Sequence, residues 1–171
     1  MDTIIVGFST PKSFNLFSLL IRTVGKSSFS HAYIRYYDTY TNKWIIYQAS
    51  GRLVNMITAD NFDTVEDIKA EFEIPVSDDT KLKTIQWAQN KLGTPYGVMN
   101  IVGIGCVLVA RFFGKKITNP FADGQKTMVC SELVDYIMED IFQLGDVYDP
   151  ATAMPIDDYN FLESKGFKRL I

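Results

Sequence analysis

Apolar and polar residues along the chain divide it into a strand-rich first half and a helix-rich second half. "TIIVGFS", 3–9, is apolar and β-branched, the pattern of a strand. "SFNLFSLLIRTVG", 13–25, has a serine at the N-cap, apolar residues at helical spacing and a closing Gly25, and so predicts a helix. In "SHAYIRYY", 30–37, strict alternation puts His31, Tyr33, Arg35 and Tyr37 on one face and Ala32, Ile34 and Tyr36 on the other. "DTYTN" is a turn and "KWIIYQAS", 43–50, a second strand, so 30–50 predicts a β-hairpin. "GRLVNMIT" continues as a third strand after Gly51, and "EFEIPV", 71–76, alternates again.

Helical spacing dominates from there. "DDTKLKTIQWAQNKLG", 78–93, carries acidic N-cap candidates and ends on a glycine. A "TPYG" turn leads into the apolar run 98–113, then the polar loop "GKKITNPFADGQK". A helix beginning near Cys130 runs to about Phe142, a short proline-started helix lies within "TAMPIDDYNFLESKG", and "FKRLI" closes the chain as a strand. Without internal repeats or a linker, residues 1–171 predict one α+β domain, an antiparallel sheet packed against helices.

Composition narrows the function. The chain has 171 residues, 47% hydrophobic and 22% charged, with a net charge of −3. That balance argues for a folded domain and against nucleic-acid binding. Two cysteines and one histidine supply neither a disulfide framework nor the ligands of a structural zinc site, so no cofactor or metal is expected. "MDTIIVGFSTPK" lacks the basic start of a signal peptide, so a cytoplasmic location or delivery by a larger assembly is expected. The 98–113 run is short for a membrane span and holds Asn100 and Arg111. Core packing is its preferred reading, with membrane contact as the alternative.

Cys130 has two readings. It shares a helical stripe with Leu133, Val134, Ile137 and Ile141, which fits a small core residue. It also sits in the first turn, where unpaired N–H groups and the helix dipole stabilise a thiolate and can hold an oxyanion. A thiolate nucleophile wants an imidazole, and His31 is the one histidine. Its second nitrogen needs an orienting partner, and a tight hairpin centred near residue 40 pairs position 31 with about 48 or 49, which brings in Gln48. Cys106, in "VGIGCVLV", is assigned to packing.

Taken in order, "SHAYIRYY", "IIYQASG", "LGTPYG", "MVCSELV" and "MPIDDYNFL" resemble the circularly permuted branch of the NlpC-type cysteine peptidase superfamily, whose members have papain-like folds and include lecithin:retinol acyltransferase relatives. The resemblance spans most of the chain. It implies a permuted papain-like domain with Cys130 as nucleophile, His31 as base and Gln48 as the polar third residue, where relatives often place glutamate. It also implies that Tyr96 lines the cleft and that Tyr96 and Ser131 contact substrate. For Ser131 and Glu132 the preferred reading is helix first-turn chemistry.

Three functions compete. The favoured one is a thiol hydrolase of an amide or peptide bond, with a bacterial cell-wall peptide as one candidate substrate. The second turns the same site on a lipid ester or uses it for acyl transfer, with 98–113 as a greasy wall. The third is a binding or virion assembly module that keeps the fold without the activity.

Overall fold

The computed structural model describes residues 2–121, 126–145 and 152–171. Part of the polar loop expected at 114–126 lies outside them. Six antiparallel strands form one sheet in the order β4-β3-β2-β1-β5-β6. They are β1 (Asp2–Pro11), β2 (His31–Asp38), β3 (Lys43–Ser50), β4 (Leu53–Thr58), β5 (Glu66–Val76) and β6 (Lys168–Arg169). The helices are α1 (Leu16–Gly25), α2 (Ala59–Val65), α3 (Asp78–Lys91), α4 (Val98–Phe112), α5 (Cys130–Tyr136) and α6 (Pro155–Ser164). The architecture is α+β, as the alternation predicts.

Strand pleating separates two cores. Ile4, Val6 and Phe8 of β1 join Ala32 and Ile34 of β2 and Phe72 of β5 on one face, against Leu133, Val134 and Ile137 of the cysteine helix. Each such side chain, fully buried, contributes about 1.5–3 kcal/mol. On the other face Tyr33, Ile46, Ala59 and Phe62 form a smaller cluster under α2. The alternation in 30–37 therefore sorts residues correctly: His31 and Tyr33 stack on the α2 face, with ring centroids 6.3 Å apart.

Two glycines of the sheet are dictated by geometry. Gly51, at φ 68°, makes the tight turn from β3 to β4 in the left-handed region. Gly7 lets the Tyr33 ring cross β1, since a Cβ there would stand 2.2 Å from the ring. The ring crossing carries the Tyr33 hydroxyl to Glu71, which also receives Arg35 at 3.0 Å.

Several boundaries differ from those predicted. The first helix starts after Asn15, whose side chain accepts the Ser18 N–H at 3.1 Å, so Asn15 rather than Ser13 is the cap. α2 has no apolar periodicity in "ADNFDTV" beyond Ala59 and Phe62, so the pattern of the sequence does not announce it. The helix expected to run from Cys130 to Phe142 is α-helical only to Tyr136 and continues as one π-helical turn, Ile137–Ile141. The final strand shrinks to two residues paired with Phe72 and Glu73.

Cys106 is exposed, contrary to its assignment to packing. α4 buries Gly103, Ile104 and Val107, and Cys106 lies off that stripe. Gly103 is there because a side chain would collide with Asn119, whose amide donates to the Asn100 carbonyl at 3.2 Å. Among the described residues no helix is long and apolar enough to cross a membrane.

Candidate active site

His31 begins β2 and is buried. The β2–β3 ladder ends at Ile34–Tyr47, and carrying that register one step on sets Gln48 opposite Tyr33, diagonal to His31. The diagonal is short enough: His31 Nε2 lies 2.7 Å from Gln48 Oε1. The next link was invisible in the sequence. Gln48 pairs with Asn55 of β4, and its amide donates to Asn55 Oδ1 at 3.2 Å. The Asn55 amide in turn donates to the carbonyls of Leu53 at 3.2 Å and Ser50 at 3.5 Å.

This chain of bonds has one consistent polarity. Two carbonyls can only accept, so the Asn55 amide nitrogen must face them, and its oxygen faces Gln48. Gln48 then turns its oxygen to the imidazole, and Nε2 must carry the ring proton. The Nδ1 lone pair is left as the basic nitrogen. Burial holds the ring neutral, bringing the His31 pKa down to about 4 even with Gln48 favouring the charged form.

Cys130 opens α5 and is buried. Its position is pinned by the "TPYG" loop, which behaves as a short strand. Tyr96 bridges in parallel to Met128, the Tyr96 N–H donates to Arg52 at 2.9 Å, and Met128 N–H donates to Pro95 at 3.0 Å. The Glu132 carboxylate caps the helix by accepting the Val129 N–H at 3.3 Å, in line with the first-turn role expected of it.

The thiol lies among donors: the backbone N–H groups of Ala32, Ser131 and Cys130 itself, and the Tyr96 hydroxyl. Even so, burial outweighs them and pushes the Cys130 thiol up, and the Tyr96 phenol is raised as well by burial and by the sulfur. The expected lowering by the helix N-terminus is therefore not what the site shows at rest. α5 has only seven residues, and its dipole cannot offset desolvation of a sulfur anion.

No hydrogen bond joins Cys130 to His31. The peptide N–H of Ala32, the residue after His31, lies near the sulfur and favours its thiolate form. Tyr96, expected to line the cleft, contacts the sulfur directly. Ser131 lies beside it, but the Ser131 hydroxyl is committed to the Ala153 carbonyl at 2.8 Å.

Two cavities meet at Tyr96. One, of about 520 Å³, reaches Cys130 between Ile21 and Val24 of α1, Ile104 of α4 and Met154, and its walls are almost wholly apolar. The other, of about 700 Å³, reaches His31 and is lined in part by Asn15, Ser18, Ser30 and Glu66. Cys130 and His31 thus open to different surroundings, one almost wholly apolar and one of mixed character.

No family model matches the chain, and no curated protein does either. Among solved structures it is similar to the metalloprotein yiiX of Escherichia coli O157:H7, a DUF1105 protein, with a TM-score of 0.59 at 17% identity over 86% of this chain and 68% of that one. This likeness concerns the fold. Among the described residues of this chain, no three His, Cys, Asp or Glu side chains converge as a metal-ligand set.

Proposed function

We propose that this chain is a thiol hydrolase of permuted papain-like design, acting on an acyl bond through a thioester. The observation that carries the reading is the bond relay from Asn55 through Gln48 to His31, which presents a neutral imidazole with Nδ1 free, one peptide unit from a buried cysteine. A core cysteine and a core histidine need no such tautomer control.

In this mechanism Cys130 Sγ attacks the carbonyl carbon and its proton is relayed to His31 Nδ1 through one water, since the two side chains share no direct bond at rest. The imidazolium gains its support from Gln48 Oε1. The Tyr96 hydroxyl and the first-turn N–H groups, which hold the thiol at rest, are the donors for the developing oxyanion. Collapse expels the leaving group, which takes the proton from His31. Water, deprotonated by the same ring, attacks the thioester carbonyl. The C–S bond breaks, the carboxylic acid leaves, and the thiol regains a proton. An amide, as in a peptide or cell-wall peptide, and an ester both fit these steps.

The test is trapping of the acyl-enzyme. With p-nitrophenyl acetate, intact-mass analysis with peptide mapping should find an acetyl group on Cys130. It should be absent in Cys130→Ala and form at least ten-fold more slowly in His31→Ala. If Cys130 stays unmodified while Cys106 reacts, the reading is wrong and a binding or assembly module takes its place.

A further inference from the structure

A bulge in the sheet turns one carboxylate onto the face of the imidazole. β1 and β5 pair in register as far as Phe8 opposite Ala70, then slip, so that Ser9 meets Ile68 and Pro11 meets Glu66. Lys69 is the extra residue. Side chains alternate along a strand, so one extra residue moves Ile68 and Glu66 to the other side of the sheet. That side is the one His31 occupies: Ser9 pairs with His31 across β1 and β2, and Ile68 packs beside Tyr33 and Phe62. Glu66 Oε2 accepts the Ser9 hydroxyl at 2.8 Å, which holds the carboxylate one side chain from the ring. Bulges are enriched beside active sites, where they re-aim a side chain in this way.

The steps proposed above give Glu66 no part. His31 Nε2 is taken by Gln48, and the one hydrogen bond to the Glu66 side chain comes from Ser9. Among the described residues no lysine or arginine forms an ion pair with Glu66. The ammonium of Lys12, next to Pro11, is held by the Asp63 carbonyl. In the lining of the cavity of about 700 Å³ that reaches His31, Glu66 is the one charged side chain, since the ring is neutral. Burial disfavours that charge and the Ser9 bond favours it. A carboxylate in a cavity without a cation is complemented by a ligand that brings one. The ligand is an organic ammonium: the neighbouring hydroxyls of Ser18 and Ser30 can accept its N–H groups, whereas one carboxylate does not make a metal site.

We propose that Glu66 selects the leaving group: the His31 cavity takes a departing alcohol or amine that also carries an ammonium, seated on the carboxylate while the departing atom faces the ring. The acyl group then lies at Cys130, in the other cavity. The leaving-group half rests on Cys130 being the nucleophile, whereas the cation site does not.

Two measurements test the two halves. In the first, the ring signals of His31 are followed by NMR while p-hydroxybenzylamine or p-hydroxybenzyl alcohol is added. In wild type and in Cys130→Ala alike, the amine should bind about ten-fold more tightly than the alcohol, the scale of one charged hydrogen bond. Glu66→Gln keeps an acceptor for Ser9 and should lose that preference. No shift, equal binding of the two probes, or a preference that survives in Glu66→Gln overturns the cation site. So does a response to magnesium chloride with none to the amine, since the carboxylate would then serve a metal. In the second, the rate of Cys130 acetylation is compared for p-(aminomethyl)phenyl acetate, p-(hydroxymethyl)phenyl acetate and p-(carboxymethyl)phenyl acetate. Wild type should favour the ammonium ester over the neutral one about ten-fold, Glu66→Gln should favour neither, and Glu66→Lys should turn the preference to the carboxylate ester. Acetylation by all three at like rates overturns the leaving-group role and leaves the hydrolase standing. Binding of the amine with no acetylation by any ester overturns the hydrolase and the leaving-group role together, and leaves the cation site.

Discussion

Asp135 and Asp158 lie close to one another beneath the cysteine helix, both fully buried, one from α5 and the other from α6, and each carboxylate disfavours charge on the other. Burial, with the Asp135 charge beside it, raises the Asp158 carboxyl well above its usual range. The native state therefore holds a proton that the unfolded chain releases above about pH 4. Stability from this group falls as pH rises from there toward the native pKa. Asp158→Asn removes the titration and keeps a donor. It should melt several degrees above wild type at pH 8, since 1 kcal/mol moves a domain of this size by about 2–4 °C. An unchanged or lower melting temperature at pH 8 would count against the raised Asp158 carboxyl.

His31 imposes the opposite slope. Its pKa falls from an unfolded 6.5 to about 4, so the native state binds fewer protons between those values. Its stability is fully present above pH 6.5 and is lost as pH falls toward 4, by about 3 kcal/mol in all. Because the chain has one histidine, proton NMR reads this ring without assignment. A single titration near 4 is expected, and one near 6.5 would contradict the buried neutral imidazole.

Asn55 acts through Gln48. Asn55→Leu frees the Gln48 amide to turn its nitrogen toward the ring, and the tautomer control is lost. Acylation of Cys130 should slow about ten-fold, the scale of losing one positioning hydrogen bond, and the ¹⁵N shifts of His31 should show mixed tautomers. Gln48→Glu is the converse case: a carboxylate beside the imidazole should lift the His31 pKa, read by the same titration. Unaltered ¹⁵N shifts in Asn55→Leu would remove Asn55 from the site.

Cys130 should be slow to alkylate. Burial holds its pKa above the ordinary thiol value, so the iodoacetamide rate should climb only above about pH 8.5. Tyr96→Phe deletes a donor to the sulfur and should shift the profile further up. A midpoint well below 8.5 would mean that the resting site is an ion pair after all.

Gly7 has its own test. Gly7→Ala drives a methyl into the Tyr33 ring and displaces its bond to Glu71, at a cost of about 1–3 kcal/mol by urea unfolding. Gly7→Ala combined with Tyr33→Leu should recover part of the loss.

The strands and the cysteine helix were legible because their residues obey simple periods. "KWIIYQAS" gave β3 to the residue, and the hairpin logic brought Gln48 to His31 although the register sets Gln48 opposite Tyr33, two residues along. Asn55 was not legible, because its role depends on which β4 residue meets Gln48, and that follows from the turn at Gly51. The resting charge of Cys130 is not legible for a related reason. A helix start advertises its dipole in sequence, but the depth of the pocket that opposes it is set by α1, α4 and the 153–155 segment, all distant along the chain. Cys106 shows the same limit, since an apolar run does not reveal which of its faces finds a partner.

A sulfur that rests protonated has one more property. Peroxide attacks thiolates far faster than thiols, and the first product, a sulfenic acid, would end acyl chemistry until reduced. By keeping Cys130 neutral and enclosed, the fold keeps this thiol in its reduced form, and under the proposed mechanism ionisation is deferred to the moment of attack. The high resting pKa is thus a form of shelf life, set by the same burial that slows alkylation.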